Sequence, residues 1–84
     1  MEEKTVILVI NAPNLRPITI ACGENETIAD AKNKFYEEAK TREYNQWKFN
    51  AEVLKDHKKI SDYGLEDQDE ISAVRERDGG YGGY

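Results

Sequence analysis

The sequence predicts an α+β domain, a mixed β-sheet covered on one face by a single helix, in the order ββαββ, short turn, β. Three observations predict it. Val6, Leu8 and Ile10, then Ile18, Ile20 and Cys22, form two period-two runs separated by a segment with two prolines. Ile28, Ala31, Phe35 and Ala39 recur at helical spacing. Three further short strand patterns come after the helix, which places strands on both sides of it in sequence and calls for a layered sheet and helix.

The elements come in order. Thr5 to Asn11 is continuous and β-branched, as expected of a central strand covered on both faces or nearly so. Ala12 to Pro17 carries turn chemistry, so the first two strands form a hairpin. Gly23 to Glu26 is a loop. Thr27 with Asp30 resembles a capping box, which starts an amphipathic helix of three to four turns. Lys32, Lys34, Glu37 and Lys40 are expected to point away from its apolar face. Thr41 to Asn45 is a polar loop. Gln46 to Phe49 is a strand with Trp47 and Phe49 on one face, Asn50-Ala51 is a tight turn, and Glu52 to Leu54 returns. Lys55 to Lys59 is a charged loop. Ile60 to Leu65 packs around a turn in which Gly64 is free to take positive φ. Glu70 to Arg77 is the last strand, with Ile71, Ala73 and Arg75 on one face. The predicted domain covers residues 1–77, and residues 78–84 are a flexible Gly/Tyr-rich tail.

The bulk properties narrow the function classes. Eighty-four residues suffice for one domain. At this size about 60% of the unfolded surface is buried, which leaves little room for a deep active site. A net charge of −5 with interspersed signs argues against nucleic-acid binding and for a solvated surface. Cys22, the only cysteine, falls on an inward strand position and reads as a buried structural thiol rather than a nucleophile. No CxxC or HxxxH is present and His57 is the only histidine, so neither a metal nor a cofactor is expected. His57 reads as a surface loop residue and Trp47 as core. The charged start and the absence of an apolar run near 18 residues predict a cytoplasmic protein, also nuclear in a eukaryote, with no membrane partner.

Two stretches carry a family resemblance: Thr27-Ile-Ala-Asp-Ala-Lys-Asn-Lys-Phe35 and Leu54-Lys-Asp-His-Lys-Lys-Ile-Ser-Asp-Tyr-Gly-Leu65. With the order of elements, they make the chain from Val6 to Gly80 resemble the ubiquitin family and its β-grasp fold. One single-residue gap between Phe35 and Trp47 suffices, and Gly79-Gly80 then falls on ubiquitin's terminal Gly-Gly. Trp47 and Lys55-Asp-His57 are also similar to the ubiquitin-like modifier of splicing that acts without conjugation. Trp-x-Phe, Lys-Ile-x-Asp-Tyr-Gly and the Gly-rich ending are similar to bacterial ubiquitin-like proteins encoded beside their own activating and peptidase enzymes.

The resemblance implies departures as well. The central isoleucine of ubiquitin's apolar recognition patch aligns with Lys48 and its histidine with Ser72; Val74 alone stays apolar. The two lysines most used for ubiquitin chains align with Glu52 and Asp67, while Lys32 and Lys34 persist. Ordinary ubiquitin-binding domains are therefore not expected to read this chain.

The resemblance also implies what the tail does. Ubiquitin-like carriers are activated at a C-terminal glycine, and glycine allows close backbone approach in a narrow channel. The candidates are Gly79-Gly80 and Gly82-Gly83, interleaved with Tyr81 and Tyr84, which a processing peptidase would remove. Spacing from the fold favours Gly80 and the minimal extension favours Gly83. Arg75 and Arg77 precede the glycines and are candidates for engaging acidic enzyme grooves, but ubiquitin's tail arginines align with Glu76 and Asp78. Cognate activating (E1-like) and conjugating (E2-like) enzymes with different charge complementarity, a peptidase and target proteins are the implied partners. A non-covalent interaction module and a sulfur carrier ending in a thiocarboxylate are the alternatives. The chain carries no constellation expected of an enzyme.

Overall fold

The computed structural model describes residues 3–75. Five strands form one sheet: β1 (Thr5–Asn11), β2 (Ile18–Gly23), β3 (Gln46–Phe49), β4 (Glu52–Val53) and β5 (Asp69–Val74). Their order is β2-β1-β5-β3-β4, with β1 and β5 parallel and the other neighbours antiparallel. The helix α1 (Ile28–Ala39) lies on one face, and a 3-10 turn (Ile60–Tyr63) precedes β5. This is the α+β, β-grasp arrangement that the sequence predicts.

The core is the sheet's inner face packed on the helix. Val6, Leu8, Ile10, Ile20, Cys22, Trp47, Ile71 and Ala73 meet Ile28, Ala31 and Phe35, all buried. Phe35 stands edge-on to Trp47, with ring centroids 5.8 Å apart, an arrangement that suits their opposed quadrupoles. Trp47 is fully buried, and its indole Nε1 has no hydrogen-bond partner among the described residues. β1 is covered on one face only. Ile7 and Val9, on the other, are half-buried between neighbouring strands.

Local chemistry sets the boundaries. Asp30 N donates to Thr27 Oγ1 and Thr27 N donates to Asp30 Oδ2, both at 3.2 Å, which completes the predicted capping box. Two further amides at the helix start, Ile28 N and Ala29 N, donate to Lys58 O and Asp56 O, so the loop 55–59 is tied to the helix N-terminus. The helix ends at Lys40, whose φ of 63° is left-handed. In the β1–β2 turn, Leu15 N donates to Ala12 O, with Pro13 and then Asn14 (φ 65°) between them, the order a type II turn favours. Asn50 and Ala51 both take positive φ, 53° and 67°, between the paired Phe49 and Glu52, which matches a type I′ hairpin. Gly64 has the expected positive φ of 66°.

Besides the one-sided cover of β1, which was expected to be covered on both faces or nearly so, three expectations need correction. Lys32 does not point to solvent: it is 7% exposed. It lies one helical repeat (i+4) from Ile28, so its methylene stem joins the apolar stripe while its amine reaches out past it. β4 ends at Val53, one residue short of the expected strand; Leu54 is buried in the core, and its N–H still donates to Trp47 O at 2.8 Å. β5 ends at Val74, so the alternation that would have put Arg75 beside Ile71 and Ala73 is lost and Arg75 is exposed.

Candidate functional site

The described chain leaves the sheet at Arg75. Its guanidinium Nη2 pairs with Glu43 Oε1 in the loop after the helix, and both side chains are more than half exposed. A pair this open adds little stability. Of the predicted site residues, Arg75 is thus placed at the rim of the domain. Arg77, Gly79, Gly80, Tyr81, Gly82, Gly83 and Tyr84 lie outside the described residues, as does the predicted boundary at residue 78.

The open face of the sheet adjoins this exit. Asn11, Ser72, Lys48 and Val53 are register partners in turn across β1, β5, β3 and β4, which makes one row over four strands. Val74 pairs with Gln46 on the same face. Asn11 Nδ2 donates to Glu70 Oε1 at 3.2 Å. Lys48, Ser72 and Val74, the positions that the resemblance sets against ubiquitin's apolar patch, therefore share one face, around an exposed lysine and an exposed serine. Such a face favours polar or charged partners over a purely apolar one.

The lysines differ in their availability. Lys32 Nζ donates to Asn45 O at 2.6 Å and to Asp56 Oδ1 at 2.7 Å. A buried amine bonded twice is a poor acceptor for an acyl group. Lys34 Nζ donates to Ala21 O at 2.8 Å and lies 2.9 and 3.2 Å from the two Glu26 oxygens. The Glu26 hydrogen bond raises the pKa of the Lys34 amine. Cys22 is fully buried, and desolvation pushes its thiol up to about 11 despite nearby Lys34. It is protonated at neutral pH and cannot serve as a thiolate nucleophile. Among the described residues no group of three or more His, Cys, Asp or Glu side chains could hold a metal, and no helix is long and apolar enough to cross a membrane.

One feature was not foreseen in the sequence. A groove of about 630 Å³ is lined by α1, by Arg42, Asn45 and Gln46, and by the segment 53–57, which brings Lys55 and His57 to it. Its walls come from three separate stretches of chain, so no local spacing announces it.

Residues 7–78 match the ubiquitin family along most of the chain. The chain belongs to the ubiquitin family. Solved structures agree on the fold. A chain from a structure of SUMO mimicry that promotes DNA repair superposes with a TM-score of 0.78 and 20% identity, over 88% of this chain and 95% of that one. The ubiquitin-like domain of Plasmodium falciparum Dsk2 gives 0.78 and 22%, over 87% and 100%. A ubiquitin-like domain of an Arabidopsis thaliana protein gives 0.78 and 18%, over 89% and 81%. No curated protein sequence is a significant match. The ubiquitin fold thus accounts for the core and the strand order.

Proposed function

We propose that this ubiquitin-family chain is a protein modifier, activated at a C-terminal glycine and conjugated to target proteins after proteolytic trimming of its tail. The observation that carries the reading is where the last strand ends. β5 stops at Val74, Arg75 is exposed at the rim, and the sequence reaches Gly79-Gly80 four residues later.

In this reading the glycine carboxylate attacks the α-phosphorus of ATP and expels pyrophosphate, giving an acyl-adenylate. A cysteine thiolate of the activating enzyme displaces AMP to form a thioester. A target amine then displaces the thiol and forms an amide, losing a proton. The chain contributes the carboxylate and the docking surface; the nucleophiles and the ATP site belong to partner enzymes. The protonated, buried Cys22 is consistent with a carrier that performs no catalysis itself. The reading places the protein in the cytoplasm, and in the nucleus of a eukaryote.

Two measurements test it. The intact mass of protein from its native host is expected to show a terminus at Gly80 or Gly83. The trimmed chain, given its cognate activating enzyme and ATP, is expected to form an adduct that a thiol reductant removes. A host protein that keeps Tyr84, together with no such adduct, overturns the reading. A second reading, a non-covalent interaction module, is supported by the polar row Asn11, Ser72 and Lys48. It is favoured if a chain lacking residues 78–84 keeps full function.

A further inference from the structure

The groove beside the helix is cationic in an acidic protein. It continues over the C-terminal half of α1 into a second depression of about 490 Å³, and the two share Asn33, Tyr36 and Arg42. Together they are lined by four cations, Lys32, Lys40, Arg42 and Lys55, against two carboxylates, Glu37 and Asp56. That leaves eight cations and fifteen carboxylates for the rest of the chain. The local balance is the reverse of the global one.

We propose that this groove docks a short acidic peptide segment of a partner protein. Asp56 is already neutralised by Lys32, 2.7 Å away. Arg42, Lys40, Lys55 and His57 form no ion pair among the described residues. Arg42 is held in place by the Tyr36 ring, with its guanidinium carbon 5.2 Å from the ring centroid, a contact that leaves the edge of the guanidinium able to donate in-plane to a carboxylate. Lys55 comes from a separate stretch of chain and lines the same groove, so an extended acidic segment can meet cations from both stretches. The volume suits a few side chains rather than a protein face. At physiological ionic strength charges are screened over about 8 Å, so a short ligand in the groove feels these cations more than the distant carboxylates. A nucleic acid would extend beyond the groove and meet the net negative surface.

The test is an NMR titration of the isotope-labelled full chain with a short oligoglutamate peptide, an oligoglutamine of equal length and a single-stranded oligonucleotide. Oligoglutamate is expected to give saturable shifts at Asn33, Tyr36, Arg42 and Lys55, weakening as salt is raised. Arg42→Glu and Lys55→Glu are each expected to weaken binding about tenfold. Arg16→Glu makes the same charge change in the exposed β1–β2 turn, and is expected to change binding less than about twofold. Thermal melts of each variant report folding separately. No saturable shift, shifts centred elsewhere, equal weakening by Arg16→Glu, or equal binding of oligoglutamine overturns the proposal. Tighter binding of the oligonucleotide at the same residues overturns it in favour of a nucleic-acid ligand.

Discussion

Lys48 and Ser72 are direct partners across β3 and β5, on the sheet face turned away from the helix. The pair sits at the centre of the row that runs from Asn11 to Val53. A partner shaped for ubiquitin's apolar patch would have to desolvate the Lys48 ammonium there without supplying a counter-charge. That cost, several kcal/mol for a fully buried charge, exceeds the roughly 1.5–3 kcal/mol from burying one apolar side chain. Domains that read ubiquitin's apolar patch are therefore expected to show no saturable binding up to about 1 mM. Lys48→Ile removes the charge on an exposed strand position, and its stability is expected to stay within about 0.5 kcal/mol of the parent. Calorimetric titration of both proteins checks this: detectable binding by the parent would contradict it, and a gain in Lys48→Ile would support it.

Lys32 is the polar strut between the helix and two loops. Its amine joins Asn45 O and Asp56 Oδ1, while its stem is buried against the core. Lys32→Met keeps most of the stem and loses the bonds. Because Asp56 remains 63% exposed, water can take over its side, and the loss falls mainly on the Asn45 carbonyl. A destabilisation of about 1–2 kcal/mol is expected. Lys32→Ala also loses packing and should cost more. Urea unfolding followed by the fluorescence of the buried Trp47 measures both; equal midpoints for Lys32→Met and parent would show that the amine contributes nothing.

What was legible in the sequence was what short-range chemistry decides. Thr27 and Asp30 announce the helix start because both halves of the cap lie within four residues, and Gly64 announces a left-handed turn because its residue type permits one. The hairpin and the inward face of β5 come from period-two patterns. Lys32 was not legible, since helical spacing places it on the flank of the stripe but only the arrival of Asn45 and Asp56 shows what its amine does. Arg75 was misplaced for a related reason: alternation holds only while a strand is paired, and β3 offers its last partner at Gln46, opposite Val74. The cationic groove needed tertiary structure outright, because Arg42 and Lys55 are brought to one cleft by the return of the sheet beside the helix.

The β3–β4 turn holds a correctable strain. Ala51 sits at φ 67°, where an L-residue with a Cβ is disfavoured by about 1–2 kcal/mol. Glycine removes that penalty and adds unfolded-state entropy of about 0.4–1 kcal/mol in the opposite sense. The strain is the larger of the two, so Ala51→Gly is expected to stabilise by about 0.5–1 kcal/mol. Ala51→Val, β-branched at the same φ, should destabilise. Denaturant midpoints at equal m-value decide; a lower midpoint for Ala51→Gly would show that the turn is not strained at this residue.

Cys22 gives the fold an alkaline limit. In the unfolded chain its thiol ionises near its ordinary value of 9.0, whereas burial holds it protonated up to about 11. Above the unfolded value the unfolded state binds fewer protons than the folded state, so stability falls as pH rises. The contribution is fully present below about pH 9, declines across the window between the two values, and is lost above it. At about 1.4 kcal/mol for each pH unit, the loss across the window is on the order of 2–3 kcal/mol. Lys34, whose pKa is raised by Glu26, contributes in the same direction at higher pH, from its ordinary value of 10.5 upward. Cys22→Ala removes the thiol and keeps Lys34, so the two can be separated. The parent is expected to lose stability between about pH 9 and 10, and Cys22→Ala, though less stable at about pH 7 because of the cavity, is expected to have a flatter profile there. Parallel profiles for the two proteins across that interval would show that Cys22 ionises as readily in the folded chain as in the unfolded one.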